Sequence, residues 1–220
     1  MAQAAEIRGV SIVLLGHFTP VIFQPLWFST QNLLSKSEAE AAQVELIHPR
    51  ATIFSANWLQ VNVIEDRFQA ATAQVPYFEM LRDLVSGAFQ VLNQTPVQAL
   101  GINCDFHFPL GSEERWHGFG HKVAPKELWS KTLKSPGLLS LTMTSLRSDE
   151  YEGHIQVRVE PSIRVRFGVY INVNDHYQLA KAQEIQAGTA GVVSILASKW
   201  QESMDRAHSI IKGVLDSGDS

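Results

Sequence analysis

Over residues 153–173 the chain alternates with a period of two, and that pattern confines it to half-buried β structure. Ile155, Val157 and Val159 are apolar, with His154, Gln156 and Arg158 interleaved. Ile163, Val165, Phe167, Val169, Ile171 and Val173 continue the apolar set, with Arg164, Arg166, Gly168, Tyr170 and Asn172 between them. Successive residues of a strand point to opposite faces, so one face of these strands belongs to a core and the other is polar. "GINCDFHF" behaves alike, setting Ile102, Cys104, Phe106 and Phe108 against Asn103, Asp105 and His107. One-sided burial of this kind fits an antiparallel sheet with helices packed on its apolar face.

The pattern also repeats. "PRATIFSANWLQVN" from Pro49 lies without a gap over "PSIRVRFGVYINVN" from Pro161, an offset of 112 residues that sets Trp58 over Tyr170. "LLGHFTP" at 14–20 is echoed by "CDFHFPL" at 104–110, an offset of 90, so the second copy carries about 22 extra residues. The segment "GSEERWHGFGHKVAP", rich in glycine and charge, is expected to be that insertion, as a loop. Propensity and spacing predict strands near 7–18, 50–63 and 66–74 in the first half, with helices near 25–35 and 77–93. In the second half they predict strands near 97–108, 138–147, 153–160 and 163–174, with helices near 125–134 and 188–214. The expected fold is α+β, an internally duplicated βαβββα-like unit forming one compact domain over 1–220, its pseudo-repeats spanning approximately 1–95 and 96–215.

Charge and cysteine content narrow the function classes. With 18 basic against 22 acidic residues, a formal net charge of −4, no whole-molecule field pulls the chain toward nucleic acid or an anionic membrane. The single cysteine, Cys104, excludes an internal disulfide and a cysteine metal cluster and fits a reducing compartment, so the cytoplasm is expected. The start lacks the cationic segment of an export signal, and no apolar run approaches the roughly 20 residues that a membrane helix needs.

Two constellations bear on chemistry. His117 and His121 stand four apart, a spacing that on a helix puts both imidazoles on one face as in zinc proteases. Gly118 and Gly120 oppose helix there and no glutamate follows His117, so neither metal nor cofactor is expected. Asp105 and His107 share a strand face to which Arg158, Arg164 and Arg166 are also assigned. A carboxylate can orient an imidazole as a general base, and arginines can hold an anion. Opposite charges paired across a solvated sheet face are a common stabilising device, and that reading of the cluster is the stronger of the two. No nucleophile elbow, Walker loop or dinucleotide fingerprint occurs. Cys104, on the apolar side of its strand, is expected to act as a small buried hydrophobe.

If the two copies align in parity, Trp58, Phe54 and Tyr170 join the arginines on the polar face. Aromatic residues interleaved with arginine are typical of protein interfaces. The expected function is therefore non-catalytic: a binding or assembly protein that uses this face, or the sheet edge, for a protein partner or for self-association as a homodimer. The alternative is a helix-grip cavity holding a small ligand, or an enzyme, with Asp105, His107, Arg166 and Tyr170 in the cavity.

The string Arg166-Phe167-Gly168-Val169-Tyr170-Ile171-Asn172, with Asp66-Arg67-Phe68 and the following "VPYFEMLRDLVSGAF", resembles a family of sporadically distributed bacterial proteins of unknown function. That family carries an Arg-x-Gly-hydrophobic-x-Tyr-Ile-Asn strand. The chain departs from it at "AATAQ" after Phe68 and at "VPY". The resemblance implies a fold and brings no activity.

Overall fold

A computed structural model describes residues 4–179 and 188–219. The first three residues of the stretch examined for an export signal lie outside it. In chain order the elements are β1 (Ile7–Gly16), α1 (Pro25–Thr30), α2 (Lys36–Glu40), β2 (Gln43–His48), β3 (Ala51–Ala56), β4 (Leu59–Ile64), β5 (Arg67–Thr72), α3 (Phe78–Val91), β6 (Val97–Pro109), α4 (Glu113–Val123), β7 (Leu141–Leu146), β8 (Gly153–Pro161), β9 (Gly168–Gln178) and α5 (Ala190–Asp219).

The nine strands form one antiparallel sheet in the order β2-β3-β4-β5-β1-β6-β9-β8-β7. Its centre is the pair β1 and β6, in register from Ile7 opposite His107 to Leu15 opposite Ala99. From that centre the first half leaves as β1, β5, β4, β3 and the second as β6, β9, β8, β7. The 112-residue offset does not follow this order: it lays β4, two strands out from the first half's central strand, over β9, one strand out in the second.

Alternation selects the buried face. Val10, Ile12 and Leu14 of β1, Leu100, Ile102, Cys104, Phe106 and Phe108 of β6, and Val169, Ile171 and Val173 of β9 are all buried. The apolar stripe of α3, Leu81, Leu84, Val85, Ala88 and Phe89, packs on β1 and β5, where Phe18, Phe23, Phe68 and Phe89 meet at ring-centroid distances of 5.0–6.3 Å. Val192, Leu196, Trp200, Met204, Ala207 and Ile211 of α5 pack on β6 and β9. No helix among the described residues is long and apolar enough to cross a membrane.

Four expectations are corrected. The segment containing His117 and His121 is the helix α4, not a loop. Ser112 caps it by accepting the Arg115 N–H, and Glu113 and Glu114 in the first turn, with His121 and Lys122 in the last, complement the helix dipole. These terms, with Phe119 buried beneath, outweigh two glycines of about 1 kcal/mol each. The short helix expected near 125–134 is only a 3-10 turn at Lys126–Leu128. The predicted strand 50–63 is a hairpin, β3 and β4, turning at Asn57, whose φ of 40° asparagine tolerates. The predicted strand 163–174 begins only at Gly168. Residues 162–167 turn between β8 and β9, Ile163 is 97% exposed, and Phe167 holds φ at 50°.

Candidate binding face

Every strand that buries one row of side chains presents the other row to the opposite side of the sheet. β6 presents Asn103, Asp105 and His107; β9 presents Tyr170, Asn172, Asn174 and His176; β8 presents His154, Gln156, Arg158 and Glu160. Register then sets the neighbours. Asp105, Asn172 and Arg158 form one cross-strand row, His107, Tyr170 and Glu160 the next, and Asn103, Asn174 and Gln156 another.

The rows are joined by hydrogen bonds. Tyr170 Oη donates to Asp105 Oδ1 and accepts from Arg158 Nη2 at 3.2 Å. Asn172 Nδ2 donates to the same Oδ1 at 3.1 Å, so both bonds to the carboxylate fall on one oxygen. Asn174 Nδ2 donates to Asn103 Oδ1 at 2.6 Å. Arg158 Nε is buried and makes no hydrogen bond among the described residues, with Glu160 Oε1 3.6 Å away. His107 lies beside Tyr170, ring centroids 4.8 Å apart, with its Nδ1 2.8 Å from Ser162 Oγ. Ser162 Oγ accepts from the backbone N–H groups of Arg164 at 3.2 Å and Val165 at 2.9 Å. Its own hydrogen therefore goes to His107 Nδ1, which fixes the neutral ring with the proton on Nε2.

Electrostatics follow from this packing. Burial, reinforced by the bond to Asp105, pushes the Tyr170 phenol up to about 12, so it is a fixed proton donor at neutral pH. Burial and then the charge of Arg164 hold His107 below its ordinary value, against the opposing pull of Asp105. His176 is likewise lowered, by burial and by His154, whose ring stacks on it at 4.4 Å. The Arg158 guanidinium is raised, chiefly by its bond to Tyr170.

Two adjoining hollows, of about 510 and 410 Å³, lie on this face and share Asp105, Arg158 and Tyr170. The larger extends over Asn103, Gln156 and Asn174, the smaller over His107, Arg164 and Gln60. A third of about 270 Å³ follows at Gln60, Asn62 and Ile53.

The structure thus brings Asp105, His107, Arg158, Arg164 and Tyr170 together. It does not bring Trp58, Phe54 or Arg166. Trp58 is 3% exposed on the helix side, stacked on Tyr77 at 5.2 Å, with its Nε1–H donating to Glu38 Oε1 at 3.0 Å. Phe54 pairs with Val61 and is buried with it. Across a two-residue turn, paired positions sum to an odd number, so even residues of β3 share a face with odd residues of β4, and one parity for both strands fails. Arg166 lies in the 162–167 turn over the Phe167 ring, outside both hollows. Arg164 is on the same turn, not on a strand, and the three arginines do not form a row on adjacent strands.

Cys104 is buried, its thiol pushed up to about 12 by burial, 3.8 Å from Met204 Sδ. His117 and His121 pair with Glu113 at 3.7 Å and Glu127 at 2.9 Å, and no metal-holding group of three such side chains occurs among the described residues. On the other side of the sheet lies a cluster that sequence reasoning missed. Asp175, 2% exposed, pairs with Arg147 and with Arg206 Nη1 at 2.5 Å, and Arg147 Nη2 also holds Asp149 Oδ2 at 2.5 Å. The available signal is a carboxylate at an odd position of β9, between Val173 and Tyr177, where the pattern demands an apolar residue.

No family model matches the chain, and no curated protein is similar to it. What it does is therefore argued from the face itself.

Proposed function

We propose that the chain is a non-catalytic binding protein whose open sheet face, centred on Asp105, Tyr170 and Arg158, takes a protein partner. The observation that carries this is a polar face, hollowed across β8, β9, β6, β1 and β5, on which none of the described helices packs. Amides, imidazoles and a phenol supply both donors and acceptors, and the buried Arg158 Nε has no hydrogen-bond acceptor among the described residues, only Glu160 Oε1 at 3.6 Å. Catalysis draws less support from this geometry. Ser162, the hydroxyl beside His107, spends its lone pairs on two backbone N–H groups as a turn cap, and Tyr170 is held protonated. Self-association face to face is disfavoured by shape, because two hollow surfaces meet only at their rims. We place the protein in the cytoplasm, on the strength of its lone buried thiol. The common outward order of strands in the two halves supports descent from one duplicated unit.

The test is a photo-crosslinking residue placed at Asn172, on the open face, or at Gln201, exposed on α5, in cells of the protein's source. A discrete adduct from position 172, absent from 201 and lost when Arg158→Gln and Tyr170→Phe are added, is expected. Equal adducts from both positions, or none, overturn the proposal.

A small-ligand function has one observation of its own, though not a helix-grip cavity: α5 packs on the side of the sheet away from His107 and Tyr170. A hollow of about 340 Å³ beside α4 is walled by Trp116, Phe119, Pro136, Leu138, Pro161 and Val169. Its size is at the low end of ligand sites. A thermal-shift screen with aromatic and short acyl compounds separates this function from the first.

A further inference from the structure

The two outer strands of the sheet are built differently. An edge strand offers unpaired backbone N–H and C=O groups to any other strand, and proteins block this with charges, prolines and bulges. β2 carries such devices: Glu45 sits within it, and its pairing with β3 is interrupted by a bulge between Val44 and Leu46. β7, Leu141-Thr142-Met143-Thr144-Ser145-Leu146, carries none. Its register with β8 is unbroken over all six residues, and from Ser135 to Leu146 the chain holds no charged side chain at all. Met143 is 61% exposed and Leu146 85%.

We propose that β7 is an association edge and that its occupant is β7 of a second copy, paired antiparallel about a twofold axis at Met143. The backbone fixes which groups are on offer. The Arg147 N–H donates across to the Gly153 carbonyl, so odd-numbered residues of β7 turn their backbone toward β8 and Thr142, Thr144 and Leu146 turn theirs outward. Partners across the new pair must point to the same face and hydrogen-bond through these even positions. A centre at Met143 meets both conditions, with Thr142 opposite Thr144, Leu141 opposite Ser145 and Met143 opposite itself. A centre at Thr144 would set Leu141 against Arg147, which is already committed to Asp149 and Asp175. The strand is thus complementary to itself: threonine meets threonine on the open side, methionine meets methionine on the helix side, and no charge is buried. The joined sheet would set the two open faces side by side, a two-site array of the face described above.

The experiment measures mass by light scattering during size exclusion, on the full chain at tens of micromolar. Wild-type protein is expected at twice its 24.5 kDa chain mass. Thr144→Pro is expected to be monomeric with its melting transition retained, because the N–H it loses faces outward, whereas proline at an inward position would break the sheet. Should Thr144→Pro unfold, Thr142→Lys serves the same purpose through charge repulsion across the axis. Met143→Cys is expected to form an inter-chain disulfide under mild oxidant, since a directly opposed, non-hydrogen-bonded pair brings the two Cα atoms within bonding reach. A monomeric wild type, a dimer that survives both blocking variants, or a Met143→Cys protein that does not cross-link overturns the proposal.

Discussion

Tyr170, Asp105, His107 and Arg158 were legible as neighbours because each sits inside a regular strand, where parity alone decides the face. Trp58 and Arg166 were not, because each sits in a turn, where parity lapses. Phe167 shows the physical reason. Its apolar side chain extends the alternation of β9 toward the N-terminus, yet Ser162 closes a turn there and Phe167 lies at φ 50°, a left-handed conformation that costs a non-glycine residue about 1–2 kcal/mol. Glycine escapes that strain. Phe167→Gly is therefore expected to be less destabilising than Phe167→Ala, the reverse of the usual order, in urea denaturation. Equal or inverted losses would show that the left-handed backbone is not held in solution. His107 gives a second residue-scale outcome. Its folded-state pKa lies below 6.5, so the neutral ring is the stable one, and its contribution to stability is complete above pH 6.5 and falls as pH drops below it. Titration by NMR should find this depression, reduced in Arg164→Gln, which removes a cation, and deepened in Asp105→Asn, which removes the opposing anion. A ring titrating at or above 6.5 contradicts the burial described.

At the scale of elements, α3, α5 and the strands β6 and β8 were readable because their apolar spacing is long and unbroken. β2 was not: all six of its residues are exposed, so an edge strand of this kind leaves no periodic signal. α4 was hidden by its two glycines, which propensity weighs and tertiary packing overrides. The Asp175 cluster ties elements together in a way no local pattern encodes. Arg147, in the β7–β8 connection, and Arg206, on α5, converge on one buried carboxylate of β9, with Asp149 of the same connection bonded to both arginines and Arg147 3.7 Å above the Tyr177 ring. Removing Asp175 leaves the buried Arg147 to share Asp149 with Arg206, two cations on one carboxylate, so Asp175→Asn is expected to cost about 3 kcal/mol, a large share of a typical domain's stability. Asp149 adds a pH dependence. Its bond to Arg147 holds its carboxyl at about 2 against an ordinary 3.8, so the stability it contributes is complete above pH 3.8 and lost as pH falls toward 2. Thermal melts across pH 2–5 should lose part of their slope in Asp149→Asn. An Asp175→Asn protein as stable as wild type would mean that the cluster is solvated.

For the whole molecule, the seam between the halves decides whether they are two units or one. The central pair β1 and β6 is not a rim contact. Val10, Ile12 and Leu14 face the helices beside Cys104, Ile102 and Leu100, all buried, and α3 of the first half packs on α5 of the second. Splitting the chain between α3 and β6 would turn both central strands into long hydrophobic edges and strip α3 and α5 of each other, which is the condition under which isolated sheets aggregate. Residues 1–95 and 96–220, produced separately, are therefore expected to be insoluble or to melt without a cooperative transition. Produced together, they should reassemble into a soluble complex whose far-UV circular dichroism matches the intact chain. The comparison is informative in both directions. If either half alone gives a cooperative melt and a monodisperse elution, each half has a sufficient core of its own, and the chain is two adjoining domains whose sheets happen to meet. If only the pair folds, the hollow face that runs from Arg158 across Asp105 to Gln60 exists solely in the joined molecule, because its walls come from strands on both sides of the seam.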